Sequence, residues 1–97
     1  MLYSQNKHQE EITDERWYKS IKGYVYCSLG TKYFNVSDMK KALEYYELNL
    51  SNAKDVGDKG LQGSAYGHLG TVYRSLGDLK TAMEYHQQSL KIGRAHV

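Results

Sequence analysis

The feature that most constrains the fold is a pattern that occurs twice in the chain, with an offset of about 40 residues. Leu29-Gly30-Thr31 in the first copy corresponds to Leu69-Gly70-Thr71 in the second. Identical residues continue on both sides of this tripeptide, in the pairs Gly23/Gly63, Tyr26/Tyr66, Tyr33/Tyr73, Asp38/Asp78, Lys40/Lys80, Ala42/Ala82, Glu44/Glu84, Tyr45/Tyr85 and Leu50/Leu90. Self-similarity at such a period is typical of small units that stack on their neighbours. The sequence therefore predicts a repeat architecture rather than one compact core.

Apolar residues spaced three or four apart predict two helices in the first copy. The first helix is predicted over residues 14–35. Its apolar stripe consists of Trp17, Ile21, Val25, Leu29 and Tyr33, widened by Tyr18 and Tyr26. Asp38 is a good N-cap for the second helix, which we expect to end at Gly57. Residues 1–13 are polar, and we expect them to form a loose lead-in with a partial helix over 7–12.

The second copy predicts another pair of helices. The third helix is expected to begin near Asp58, and the fourth to run from Leu79 to about Leu90. Gly30 and Gly70 recur at the same place in both copies, although glycine inside a helix costs about 1 kcal/mol relative to alanine. We therefore expect the backbone of a neighbouring helix to approach closely at both glycines. The predicted fold is all-α, built from antiparallel helix-turn-helix units.

Composition excludes several classes of function. The formal net charge is only +2 and no run of Lys or Arg stands out, so we expect no nucleic-acid partner. No apolar stretch is long enough to cross a bilayer, so we expect no membrane partner either. The single cysteine, Cys27, is unable to form an internal disulfide, which favours a reducing, cytoplasmic setting.

The residue spacing does not indicate a catalytic or metal site. No two histidines lie three or four residues apart on one helix, and no cysteine pairs with them in sequence. A nucleophile and base at a recognisable spacing are absent from the sequence, as is a glycine-rich phosphate loop. We therefore predict that the chain is not an enzyme, has no catalytic residues, and binds neither a metal nor a cofactor.

The repeated residues resemble the tetratricopeptide repeat (TPR). That family has a large residue, Leu-Gly and Tyr on its first helix, then a Gly-Asp turn, and Ala followed by an aromatic on its second helix. The matching residues are Tyr26, Leu29, Gly30, Tyr33, Asp38, Ala42 and Tyr46 in the first unit, and Tyr66, Leu69, Gly70, Tyr73, Gly77, Asp78 and Ala82 in the second. Ser37 replaces the turn glycine and His86 replaces the aromatic. The long repeat looks like that of Pins/LGN-type G-protein-signalling modulators. The resemblance implies two units, 14–56 and 57–92, in a short right-handed superhelix.

The resemblance also implies a function. A TPR helix pair exposes a concave groove, lined mainly by its first helices, that holds a peptide. The corresponding residues here are Tyr24, Cys27, Ser28, Thr31, Asn35, Ser64, His68, Thr71 and Ser75. The implied role is a scaffold or adaptor for a partner protein. The alternatives are a structural spacer within a longer array, or regulatory repeats of an enzyme whose catalytic domain lies elsewhere.

Two further expectations concern the number of repeat units and the last residues of the sequence. Two units are fewer than the three or so that usually make a stable array, so we expect either marginal stability or self-association through the exposed end helices. The final residues from Ile92 are also what ATCGGAAGAGCACACGTC encodes, the sequence of a widely used sequencing-library adapter. We therefore expect residues 93–97 to be a non-native tail.

Overall fold

A computed structural model describes the backbone of residues 2–96 and the side chains of Glu15 and of residues 17–93. The described residues form four helices. The helices are α1 (Leu2–Asn35), α2 (Met39–Val56), α3 (Lys59–Ser75) and α4 (Leu79–His96), and the described residues contain no strand. Each helix packs against the next one along the chain. The structure thus confirms the predicted all-α fold of two successive helix pairs.

An aspartate before each of the last three helices caps that helix, because its carboxylate accepts a backbone N–H that has no partner within the helix. The capping pairs are Asp38 with Lys41, Asp58 with Leu61 and Asp78 with Thr81, at oxygen-to-nitrogen distances of 3.2, 3.0 and 3.1 Å. Gly57 ends α2 in the left-handed conformation, with φ of 72°. The helix boundaries predicted at these turns are therefore confirmed.

The α1–α2 and α3–α4 turns share one backbone shape but not one residue type. Ser37 has φ of 67°, and its counterpart Gly77 has φ of 84°. The left-handed region strains a residue with a Cβ atom and leaves glycine unstrained. The first turn is therefore the less favourable version of the second.

We expect Ser37→Gly to raise the free energy of unfolding by about 0.5–1 kcal/mol, since relief of the strain exceeds the entropy that glycine adds to the unfolded chain. Thermal unfolding followed by circular dichroism should then shift upward by about 2–8 °C. Gly77→Ser is the matched reverse change, and its midpoint should fall. Shifts of the same sign in the two variants would contradict this account.

Two predicted boundaries were wrong. Helix α1 begins at Leu2 rather than near residue 14, and α4 continues to His96 rather than ending near Leu90. Neither segment contains proline, and Gln, Lys, Glu, Arg and Ala are good helix formers, so absence of an apolar period does not end a helix. The division into units 14–56 and 57–92, and the non-native origin of residues 93–97, remain predictions.

The predicted apolar stripe of α1 is only partly buried. Trp17, Ile21 and Val25 are 66%, 40% and 44% exposed, and Tyr18 is exposed as well. A step of four residues turns a helix position by about 40°, so four such steps from Trp17 to Tyr33 turn it by about 160°. The two ends of the stripe therefore face different ways, and the end near Tyr33 is the one that packs on the core.

The core lies where α2 meets α3. It is formed by Ala42, Tyr46, Leu69 and Val72, each at most 4% exposed. A Cβ atom built on Gly30 would lie 2.6 Å from the Tyr46 ring, and one on Gly70 would lie 2.8 Å from the His86 ring. A close approach at both glycines is therefore present, but an aromatic side chain makes it rather than a helix backbone.

Candidate functional site

The predicted groove residues form two matching stripes. On α1 they are Tyr24, Ser28, Thr31 and Asn35, and on α3 they are Ser64, His68, Thr71 and Ser75. The spacing is four, three and four in each set, which places each stripe along one face of its helix. Cys27 lies beside the first stripe. Helices α1 and α3 both pack against α2, so the two stripes belong to neighbouring helices of one layer.

The stripe on α1 is exposed along its whole length, whereas the stripe on α3 is exposed at its two ends and half-buried in its middle. The side chain of Tyr24 is 77% exposed. Ser28, Thr31, Asn35, Ser64 and Ser75 are exposed too, whereas Cys27, His68 and Thr71 are half-buried. The half-buried residues therefore lie at the base of the surface, and the exposed ones are accessible to a ligand.

A contact between Cys27 and His68 joins the two stripes. Cys27 Sγ lies 3.5 Å from His68 Nε2, across 41 positions of sequence, and the histidine tautomer decides which group donates. Burial raises the pKa of the Cys27 thiol and lowers the pKa of the His68 imidazole. Both groups are therefore neutral at pH 7, and the contact is a hydrogen bond rather than an ion pair.

Residue spacing did not indicate this pair, because its two members are distant in sequence. A catalytic cysteine needs a thiolate, which a neighbouring positive charge stabilises. Cys27 has the opposite environment, since burial keeps its thiol protonated. Among the residues whose side chains are described, no group of three or more His, Cys, Asp and Glu could hold a metal ion.

Tyr46 on α2 contacts one residue of each stripe, although it is not among the predicted groove residues. Its hydroxyl is 2.8 Å from Thr31 Oγ1, and its ring stacks on His68 with centroids 4.9 Å apart. The sequence marked Tyr46 only as the aromatic after Ala42. Nothing in the spacing indicated that one ring would contact both stripes.

Hydrogen-bonding capacity without formal charge characterises this surface. Thr71 donates to the carbonyl of Gly67 at 3.0 Å, so its hydroxyl is held against its own helix. Serine, threonine and asparagine provide the remaining polar groups, and His68 is neutral at pH 7 because burial lowers its pKa. The surface is therefore suited to neutral polar groups such as those of a peptide backbone.

Comparison with known proteins identifies the family. The tetratricopeptide repeat family model matches residues 23–95. The chain belongs to the tetratricopeptide repeat family. The match is to the repeat in general, so the likeness to the Pins/LGN type remains a prediction. No curated protein matches this TPR chain. Among its described residues, no helix is long and apolar enough to span a membrane.

Proposed function

We propose that this chain binds a peptide segment of a partner protein in the groove between α1 and α3. TPR repeats are protein–protein interaction modules and are typically non-catalytic, so a protein partner follows from the family. The observation that carries the proposal is the Cys27–His68 contact, which makes one continuous surface of two stripes from different units. A cytoplasmic scaffold or adaptor role is part of the same proposal.

Tyr24 and the exposed serines are the residues of this surface that a peptide would meet first. Because Tyr24 is 77% exposed, its ring offers a large contact area that a ligand would bury. Half-buried Cys27 and His68 and buried Tyr46 lie beneath these residues and are held by mutual contacts. A preorganised surface of this kind needs little ordering when a peptide binds.

The experiment is selection of peptides from a displayed random library on the full chain, followed by affinity measurement on two variants. Ser28→Lys places a long cation in the groove, whereas Ser51→Lys places the same group on exposed α2 outside it. We expect Ser28→Lys to weaken the selected peptide at least about tenfold, or about 1.4 kcal/mol, through steric and charge mismatch. Ser51→Lys should leave the affinity within about twofold. Equal losses in the two variants would contradict groove binding.

The outer face of α4 favours the alternative of a spacer in a longer array. Leu79, Met83 and Leu90 are 60%, 61% and 60% exposed. Their counterparts in α2 are Met39, Leu43 and Leu50, which pack against the core. The α4 face thus has the apolar character of a surface that another unit covers, and it is also where we expect copies of the chain to associate. A purely structural role predicts that the library yields no peptide.

A further inference from the structure

Exposed apolar side chains continue the α1 stripe of the groove toward the start of the helix. Seven residues make almost two helical turns, so positions seven apart lie about 20° from each other on one face. Trp17 lies seven positions before Tyr24, and Ile21 lies seven positions before Ser28. Trp17, Ile21 and Tyr24 are all exposed. The stripe that is polar from Ser28 onward is therefore apolar before it.

The α3 stripe changes in the same way. Leu61 lies seven positions before His68, and its side chain is 40% exposed. Its counterpart in the first copy of the repeat is Ile21. Both stripes are therefore preceded by an exposed aliphatic residue at the same place in the repeat.

These apolar residues lie at the same end of the groove. Helices α1 and α3 each pack against α2 and are joined to it by short turns, so they run in the same direction. The Cys27–His68 contact sets residue 27 level with residue 68, which places Leu61 level with residue 20. Measured along the helix axis, Leu61 thus lies within about 6 Å of the levels of Trp17 and Tyr24. The apolar end of the groove consists of Trp17, Ile21, Tyr24 and Leu61.

The opposite end of the groove is polar. It consists of Thr31, Asn35, Thr71 and Ser75. None of the residues at the two ends has a charged side chain. A charged group of a ligand would lose hydration at the apolar end with no opposite charge on either stripe to offset it. A ligand that lies along the whole groove therefore meets an apolar surface at one end and neutral hydrogen-bonding groups at the other.

A peptide suits both ends, whereas a second copy of the chain suits only one. The face of α4 through which we expect copies to associate is apolar, at Leu79, Met83 and Leu90. Along the groove, that face would cover the hydroxyl and amide groups of the polar end and leave them without partners. A peptide backbone bonds to such groups, while a side chain of the same peptide is buried at the apolar end.

We infer that the apolar end receives one large apolar side chain, of leucine size or larger, from the peptide that lies in the groove. The inference rests on the proposed groove function and adds the chemistry of the partner, an uncharged polar segment with an apolar anchor near one end. Tryptophan and tyrosine are the residues that most often dominate binding energy at interfaces, and both are exposed here.

The first test uses the peptides selected from the random library on the full chain. We expect them to share a large apolar residue near one end, and its replacement by alanine should weaken binding at least about tenfold. Leu61→Ser should weaken the selected peptide at least about fivefold, whereas Leu48→Ser should leave the affinity within about twofold. Leu48 is the matched control because it is 45% exposed on α2, outside the groove. Peptides without a shared apolar residue, or equal losses in the two variants, would overturn the inference.

Trp17 provides a second readout, because it is the only tryptophan in the chain. Its indole is exposed, so a selected peptide without tryptophan should shift its fluorescence emission to shorter wavelength and protect it from quenching by acrylamide. The peptide whose apolar residue is replaced by alanine should produce a smaller shift at saturation. An emission spectrum that saturating peptide leaves unchanged would contradict an anchor at this end.

Failure of groove binding and failure of the apolar end give different results. Peptides that lose affinity with Ser28→Lys but respond equally to Leu61→Ser and Leu48→Ser would support groove binding and refute the apolar end. A library that yields no peptide would refute both. Trp17 emission that shifts with the concentration of the chain alone would show that a second copy covers the apolar end, and would also refute the inference.

Discussion

Replacement of Tyr46 by alanine is expected to lower the free energy of unfolding by about 3–5 kcal/mol, the usual cost of deleting a buried aromatic ring. Tyr46 is 4% exposed and belongs to the core cluster with Leu69 and Val72. The substitution would also remove the stack on His68 and the 2.8 Å hydrogen bond to Thr31. Urea denaturation followed by circular dichroism measures the loss, which is a large share of the total stability of about 5–15 kcal/mol that is typical of folded proteins.

Tyr24→Ala is the matched control, because it deletes the same side chain where it is 77% exposed. Its effect should stay within about 0.5 kcal/mol. Tyr46→Phe isolates the hydroxyl and should cost about 1 kcal/mol, the usual net contribution of one hydrogen bond. A loss from Tyr24→Ala as large as that from Tyr46→Ala would show that the core assignment is wrong.

The architecture could be predicted from the sequence because local signals determine it. The repeat defined the helix pairs, and the aspartates at 38, 58 and 78 marked the start of the last three helices. These signals act within a few residues of one another. The expected replacement of an aromatic by His86 is also seen, since its ring packs where Gly70 leaves space.

The contacts among the predicted groove residues could not be predicted, because they join residues that are distant in sequence. Cys27 meets His68 across 41 positions, and the position of Tyr46 beneath both stripes depends on how α2 packs between α1 and α3. The burial of the apolar stripe of α1 could not be predicted, for a related reason. A four-residue period indicates a helix, but it does not say which part of a drifting stripe faces a neighbour.

A second large effect is expected at Gly30, because the ring of Tyr46 on α2 leaves no room there for a side chain. An alanine Cβ would lie 2.6 Å from Cδ1 and Cε1 of Tyr46, far inside the usual carbon contact of about 3.5–4.0 Å. Overpacking of this kind costs about 1–3 kcal/mol, against about 1 kcal/mol gained from the better helix propensity of alanine. We therefore expect Gly30→Ala to lower the free energy of unfolding by up to about 2 kcal/mol.

Gly67→Ala is the matched control for this prediction, because its added Cβ would meet only Ser89 Oγ, at an ordinary 3.8 Å. That variant should gain about 0.5–1 kcal/mol from helix propensity alone. Gly70→Ala should lie between the two, since the His86 ring that it meets is half-buried and has more room to move than Tyr46. Gains at all three positions in urea denaturation would contradict a role for Gly30 in helix approach. The predicted order follows from how firmly each opposing side chain is held, and not from the glycines themselves.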